Sequence, residues 1–528
     1  MSATDTAAVA APLPDAPRRS AWLTLVLPWV LLSIVASLWA LAMPPGGSPD
    51  EPAHAVKAAS VVRGQFTPSS MIDKGGVLDV PAYIAFEYDQ TCYAFFATQS
   101  AGCMPALQGD PDALVQSYSS ASLYDPVYYV LVGWPSLIFH DEAGVYAMRI
   151  VSVVLCAFFV ALAFWLIAGW RRRRLPAVGA LVALTPMALF ITASINPNAL
   201  EFTGGLAVFT AMLSIVLSPS ERLLRRRLAV VVVGSALVVH ARSISPLWIA
   251  VLLLTPLILL SGRELIRLLR RRAVLVSAAL IVIATALSLW WTVSSNSLGL
   301  VPTSGPDVAP PTKGVGTSFF AGFLQSIGDF YTQLRQMIGI LGWLDTIFNP
   351  LVYFAFYAMI ALLALGVIVW VRGRRLVFTI VVAAAFFLLP PFVQALYITR
   401  GGYIWQGRYT LILFMCLLVA AATAIASSPG FERFRHSRRL TTIVAWAFAA
   451  IWFATGVWAF ATALRRNVVG YLASWRDMVS SPQWSPPLGA AALIALYTLA
   501  AGGFALWVML SMREKAVLPA RETVASRG

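Results

Sequence analysis

An all-α, polytopic membrane protein of about twelve transmembrane helices is expected on three grounds: composition, recurring long apolar runs, and the placement of basic residues. Hydrophobic residues make up 59% of the chain and charged residues 12%, with a mean hydropathy of +0.78. Soluble domains hold roughly 45–50% apolar residues. Apolar runs of about 18–25 residues recur from end to end, each enough to cross a ~30 Å hydrocarbon layer. With residues 1–20 as a cytoplasmic tail, the arginine clusters at 171–174, 222–227, 263–272, 372–375 and 433–439 all fall on one side. The positive-inside rule makes that side the cytoplasm and puts both termini there, in a cytoplasmic-membrane protein.

Taken in order, the run from Ala21 to Met43 follows Arg18 and Arg19. It is longer than the ~7–15 residues of a signal-peptide apolar region, so it reads as the first span. An outer loop, 44–146, comes next. Within it Tyr124–Phe139 (YDPVYYVLVGWPSLIF) is apolar, yet counting it as a crossing would turn Arg171–Arg174 outward. It therefore reads as an interfacial helix, interrupted by Pro126 and Pro135 and rich in aromatics suited to headgroup depth. Spans are expected near 147–170, 176–195, 199–217, 228–241, 244–261 and 274–292. In the second outer loop, 293–349, Asp307–Gly316 reads as extended linker and Phe319–Leu344 as another interfacial helix. Further spans near 350–371, 376–396, 409–426, 440–464 and 488–511 precede a cytoplasmic tail, 512–528.

The net charge of +15 needs no nucleic-acid partner, because short loops beside apolar helices carry it, where arginines meet anionic lipid headgroups. The sequence has no P-loop or nucleotide fingerprint, which disfavours an ATP-driven pump. Cys92 and Cys103 lie in the first outer loop, where a disulfide is permitted, and are expected to pair. Cys156 and Cys416 fall inside spans as packing residues.

The sharpest local signal is Ser48-Pro49-Asp50-Glu51-Pro52-Ala53-His54. Two adjacent carboxylates and a histidine beside the bilayer are costly without partners. Ser48 and Pro49 suit a cap and first turn of a helix running to Gly64, on which Asp50 and His54 share a face. The alternative is a helix N-terminus whose acids complement the dipole. Asp50, Glu51 and His54 would also suit a divalent cation, Mg²⁺ or Mn²⁺.

The motif stands in a series: an N-terminal span, SPDEPAH, the proline-aromatic YDPVYY, a span opened by YAMRIVSVV, Asn196-Pro197-Asn198-Ala199-Leu200-Glu201 between two spans, and Gln406-Gly407-Arg408-Tyr409 opening a late one. From about Trp22 to Ala426 this order resembles the GT-C superfamily of membrane glycosyltransferases, and within it the bacterial DUF2142 family of membrane proteins. The resemblance implies transfer of a sugar from a polyprenyl-phosphate-sugar donor to a cell-envelope glycan, lipid or protein acceptor on the outer face. It implies a catalytic core at 21–292, including the loop 44–146, followed by a more variable C-terminal module at 350–511. The acidic base or metal ligand of the first outer loop then falls on Asp50 or Glu51, with His54 beside them. A lipid phosphate calls for arginine, whose planar donors match phosphate oxygens. Arg149, Arg242, Arg400 and Arg408 are the outer candidates, with Tyr403, Trp405 and Gln406 on the turn RGGYIWQGRY. Asp125, Glu201, Asn196 and Asn198 would line a sugar pocket or merely cap helices.

Two other classes use similar parts. A secondary transporter or lipid flippase would place polar groups near the midplane, often in repeated halves; here the spans are mostly free of charge and no half repeats. A polysaccharide polymerase or ligase acting on lipid-pyrophosphate-linked glycans would rely on arginines without an obligatory carboxylate after the first span.

Overall fold

The computed structural model describes residues 22–298, 313–434 and 438–513. The expected N-terminal tail, most of the C-terminal tail, and parts of the 307–316 linker and of the 433–439 cluster lie outside these residues. Among the described residues, nine helices are long and apolar enough to cross a membrane: Leu23–Leu41, Ala143–Ala168, Pro197–Leu217, Arg272–Ser294, Pro350–Trp370, Arg374–Gly401, Gly407–Ala426, Thr441–Val469 and Ala490–Ser511. A tenth arises if Arg174–Ala183 and Pro186–Thr192, bent by 67°, are one broken span.

The expected twelve is therefore not reached by length and composition. The run at 228–241 falls mostly on the helix Glu221–Val239, whose first turns carry Arg222, Arg225, Arg226 and Arg227. The run at 244–261 is a helix only over Ser245–Leu254, tightening to a 3₁₀ turn at Thr255–Leu259 around Pro256. Proline removes a backbone donor and clashes with the preceding turn, which ends the regular helix.

Burial is greatest along Pro197–Leu217 and Gly407–Ala426, 89% of whose most apolar stretches lie inside the protein. The two pack against each other, and Pro197–Leu217 also packs against Ala143–Ala168. By contrast Arg272–Ser294, with 11% of its corresponding stretch buried, presents Leu275, Val276, Val282, Ile283 and Val293 outward. That pattern fits a peripheral helix in contact with lipid.

The loop 44–146 contains a fold the sequence reading passed over. Met71–Ile72, Gly75–Pro81 and Leu114–Ser119 form a three-stranded antiparallel sheet, registered from Gly76 opposite Ser119 to Pro81 opposite Leu114. Its centre strand buries Leu78 and Val80 against the helix Glu51–Val62, which runs across it. Cys92 and Cys103 are joined by a disulfide, with Cα atoms 6.2 Å apart.

The interfacial segment forms a short helix, Val127–Gly133, and a 3₁₀ turn, Trp134–Leu137. One face buries Tyr128, Tyr129 and Val132, while Val130, Leu131 and Trp134 are exposed. Gly133 is required by contact: a Cβ there would lie 2.3 Å from the Ala58 carbonyl oxygen. The second expected interfacial helix is two helices, Phe319–Gly328 and Phe330–Gly339, divided at Asp329.

Candidate functional site

The motif after the first span splits at its two carboxylates. Its helix begins at Glu51, with Pro52 in the first turn and Asp50 at the N-cap in the left-handed region, φ 65°. Aspartate is among the few residues that visit this region readily. Ser48 and Pro49 thus precede the cap rather than forming it, and the Ser48 hydroxyl is buried without a hydrogen-bond partner.

Glu51 turns inward and is fully buried against Arg149. Arg149 Nε and Nη2 donate to Oε1 and Oε2 at 2.8 and 2.6 Å, and the Ile195 N–H donates to Oε1 at 3.0 Å. The other Arg149 donors go to the carbonyls of Ala40, Met43 and Pro44. A buried ion pair withstands its desolvation cost only when its remaining donors and acceptors are satisfied, and here they are. With every N–H of Arg149 engaged, this geometry removes Arg149 from the candidate phosphate contacts and Glu51 from the candidate bases.

Asp50 turns the other way. Its Oδ2 accepts from Arg408 Nη2, and its side chain stays 45% exposed while that of Arg408 is 1% exposed. Arg408 also donates from Nη1 to the Pro49 carbonyl at 3.2 Å and from Nη2 to the Tyr409 hydroxyl at 3.3 Å. Its Nε is buried with no hydrogen-bond partner. Burial works to raise the Asp50 pKa, but the Arg408 guanidinium, with His54 and Arg242 in range, outweighs it and holds the carboxyl below the usual aspartate value.

His54 sits one turn on, 5% exposed. Its Nδ1 is hydrogen-bonded to the Tyr129 hydroxyl at 2.8 Å, and its ring stacks on Tyr129 and tilts toward Tyr124. Burial first, with Arg408 and Arg242 adding to it and Asp50 opposing, pulls its pKa down to about 3. The imidazole is neutral at pH 7.

Arg242, between two helices, lies with its guanidinium carbon 4.1 Å from the centre of the Tyr409 ring. Its Nη1 donates to Asn198 Oδ1 at 3.2 Å. Asn198 in turn donates to Glu201, which also accepts from Ser245. Tyr124, Arg242, Trp405 and Tyr409, together with Gln394 and Tyr397, line a cavity of about 200 Å³. Asp125 does not enter this lining; its Oδ2 pairs with His240 Nδ1 at 2.6 Å. Asn196 caps the helix Pro197–Leu217 by accepting from the Asn198 N–H.

The turn RGGYIWQGRY is divided in the same way. Arg400 is exposed, and Tyr403 accepts from Gln333 at 3.1 Å. Trp405 donates to Thr410 at 3.0 Å, and the Gln406 side-chain oxygen is buried without a partner. Only Trp405 of these four lines the cavity. For a cation, the expected trio does not converge, because Glu51 is committed to Arg149. No group of three or more His, Cys, Asp or Glu is spaced to hold a metal ion among the described residues.

The sequence reading missed Tyr124, Tyr409 and His240. Tyr124 precedes Asp125, Tyr409 follows Arg408 and His240 stands two residues before Arg242; a run such as VVHARS at a helix end, polar after apolar, is the signal that would have found His240. It also missed Lys57, fully buried, whose ammonium donates to the carbonyls of Phe66 and Ser122 at 2.7 and 2.6 Å. The bond to Ser122 ties the motif helix to the segment after the strand Leu114–Ser119 that leads into Tyr124.

The family described as "Predicted membrane protein (DUF2142)" matches residues 32–417. No curated protein matches the chain by sequence. Among solved structures, ArnT from Cupriavidus metallidurans bound to undecaprenyl phosphate is similar at 13% identity and a TM-score of 0.41, over 92% of this chain and 76% of that one.

Proposed function

The chain belongs to the DUF2142 family, and from that footing we propose that it is a membrane glycosyltransferase of the GT-C type. It moves a sugar from a polyprenyl-phosphate-sugar donor to a cell-envelope glycan, lipid or protein acceptor, and the Asp50 side of the molecule faces outside the cytoplasm. The observation that supports this reading best is the half-exposed Asp50 carboxylate held against buried Arg408, with Arg242 beside an aromatic-lined cavity.

In this reading the donor phosphate lies against Arg408 and Arg242, and the first isoprene units lie along Trp405, Tyr409 and Tyr397. Asp50 accepts the proton of the acceptor hydroxyl as its oxygen attacks the anomeric carbon. The bond from that carbon to the phosphate oxygen breaks through an oxocarbenium-like transition state. The lipid phosphate leaves with the bonding electrons, its charge met by the two guanidinium groups. In the free enzyme Arg408 keeps Asp50 ionised. An arriving phosphate shares Arg408, which makes the carboxylate a stronger base only once the donor is bound. Neutral His54 fixes the Tyr129 side of the acceptor space.

Purified protein in lipid nanodiscs, offered a panel of polyprenyl-phosphate sugars and envelope glycan fragments, tests this. Wild type transfers one sugar; Asp50→Asn binds the same carrier and loses about 10²–10⁴-fold in turnover. Retained turnover in Asp50→Asn points to an arginine-driven ligase, and absence of carrier binding points to transport.

A further inference from the structure

We infer that Trp343 and Asn467 are positioning residues for Asp50, supplied by parts of the chain remote from the first outer loop. The inference rests on the reading of Asp50 as the base.

The segment from Ala42 to Gly46, which leads from the first span to Asp50, is buried throughout. Pro44 and Pro45 have no N–H, so the segment is poor in donors of its own, and buried carbonyls need partners from elsewhere. Every one of these five carbonyls finds a distant side chain. Asn467 Nδ2 donates to Ala42 at 2.9 Å. Arg149 donates to Met43 and Pro44 at 2.8 and 2.7 Å. The Tyr93 hydroxyl donates to Pro45 at 2.7 Å, and Trp343 Nε1 donates to Gly46 at 3.0 Å.

The outer donors are themselves bound together. Arg466, next to Asn467, donates from Nη2 to Asp345 Oδ2 at 2.5 Å and to the Tyr93 carbonyl at 2.8 Å. Asp345 lies two residues after Trp343. Arg466 and Asp345 side chains are 1% and 6% exposed. The brace thus ties the helix end at Val469, the 340–347 turn and the Cys92 region to one stretch of backbone. Gly46 and Asp50, both at φ 65°, are the two left-handed positions that aim the segment. Asn467 lies beyond residue 417, where the family match ends. The C-terminal module therefore sets the geometry of the catalytic loop.

The test compares wild type with Asn467→Leu, Asn467→Gln and Trp343→Phe in nanodiscs. Three readouts are taken: hydrogen exchange of the amides from Gly46 to Glu51, the separate kcat and KM of sugar transfer, and the melting temperature. Positioning predicts faster exchange in Asn467→Leu and Trp343→Phe, with kcat down about tenfold or more, KM within twofold, and melting within a few degrees of wild type. Asn467→Gln, which keeps the donor, recovers part of both. Unchanged exchange, or faster exchange with unchanged kcat, overturns the inference; so does a loss of kcat that only follows loss of folded protein. If wild type transfers no sugar, the functional reading fails by itself, and the exchange comparison still decides whether these two side chains order the Asp50 loop.

Discussion

Asp50 and Glu51 are neighbours in sequence, both carboxylates, and both are paired with an arginine from a distant helix. Around Glu51 the protein is closed: Glu51 and Arg149 are both 0% exposed, and their donors and acceptors are consumed by each other and by backbone. Around Asp50 it is open: the carboxylate is 45% exposed, and its partner Arg408 keeps a buried N–H with no acceptor. The same chemistry is closed into structure in one region and left partly open in the other. What separates them is access and unspent hydrogen-bonding capacity, not residue type.

The largest effect should come from the closed pair. Arg149→Met leaves the Glu51 carboxylate buried and uncompensated, at a cost of about 3–5 kcal/mol, so little folded protein should survive detergent extraction. Glu51→Gln combined with Arg149→Met removes both charges and should recover much of the folded yield. If Arg149→Met folds well but binds no carrier, the contrast between the two pairs collapses and Arg149 returns to the phosphate site.

The open pair should respond in binding before stability. Arg408→Lys keeps a positive charge but loses the planar fork that can bridge Asp50 and a phosphate at once. Carrier affinity should fall about tenfold, with the melting temperature changed by only a few degrees. Binding of a fluorescent polyprenyl phosphate to wild type and variant would measure it. Equal affinity would place the phosphate elsewhere, with exposed Arg400 the next residue to substitute.

How far the sequence carried can be judged from these same residues. The long spans were legible because an apolar run needs no partner to be recognised; Ala143–Ala168 and Pro350–Trp370 agree with the expected 147–170 and 350–371 within a few residues. The three-stranded sheet was not, since strands such as GGVLDVP and LVQSYS are short, carry polar residues, and owe their form to pairing with each other. The motif SPDEPAH and the arginines at 242 and 408 were singled out separately, and the structure sets Arg408 against Asp50 with Arg242 in range. The division of labour within the motif was hidden, because it depends on one left-handed residue and on an arginine 98 positions away. Asp125 and His240 are 115 positions apart and equally invisible as a pair.

At neutral pH the smallest effect is expected at His54, and its pH dependence probes the boundary between the two regions. Its pKa falls from 6.5 to about 3 in the folded protein because burial disfavours the charged ring. Between those values the unfolded chain binds a proton that the folded protein does not, so stability is complete above about pH 6.5 and is lost as pH falls toward 3. Over the upper part of that window, from pH 6.5 to 5, the loss from this one group approaches about 2 kcal/mol. His54→Gln keeps a hydrogen bond available to Tyr129 but cannot titrate, so its unfolding free energy in mild detergent should fall less steeply with acid. Parallel pH profiles for the two proteins would mean that His54 accepts a proton in the folded state. The closed region would then end before His54, and the neutral imidazole proposed beside Asp50 would have to be replaced by a second cation.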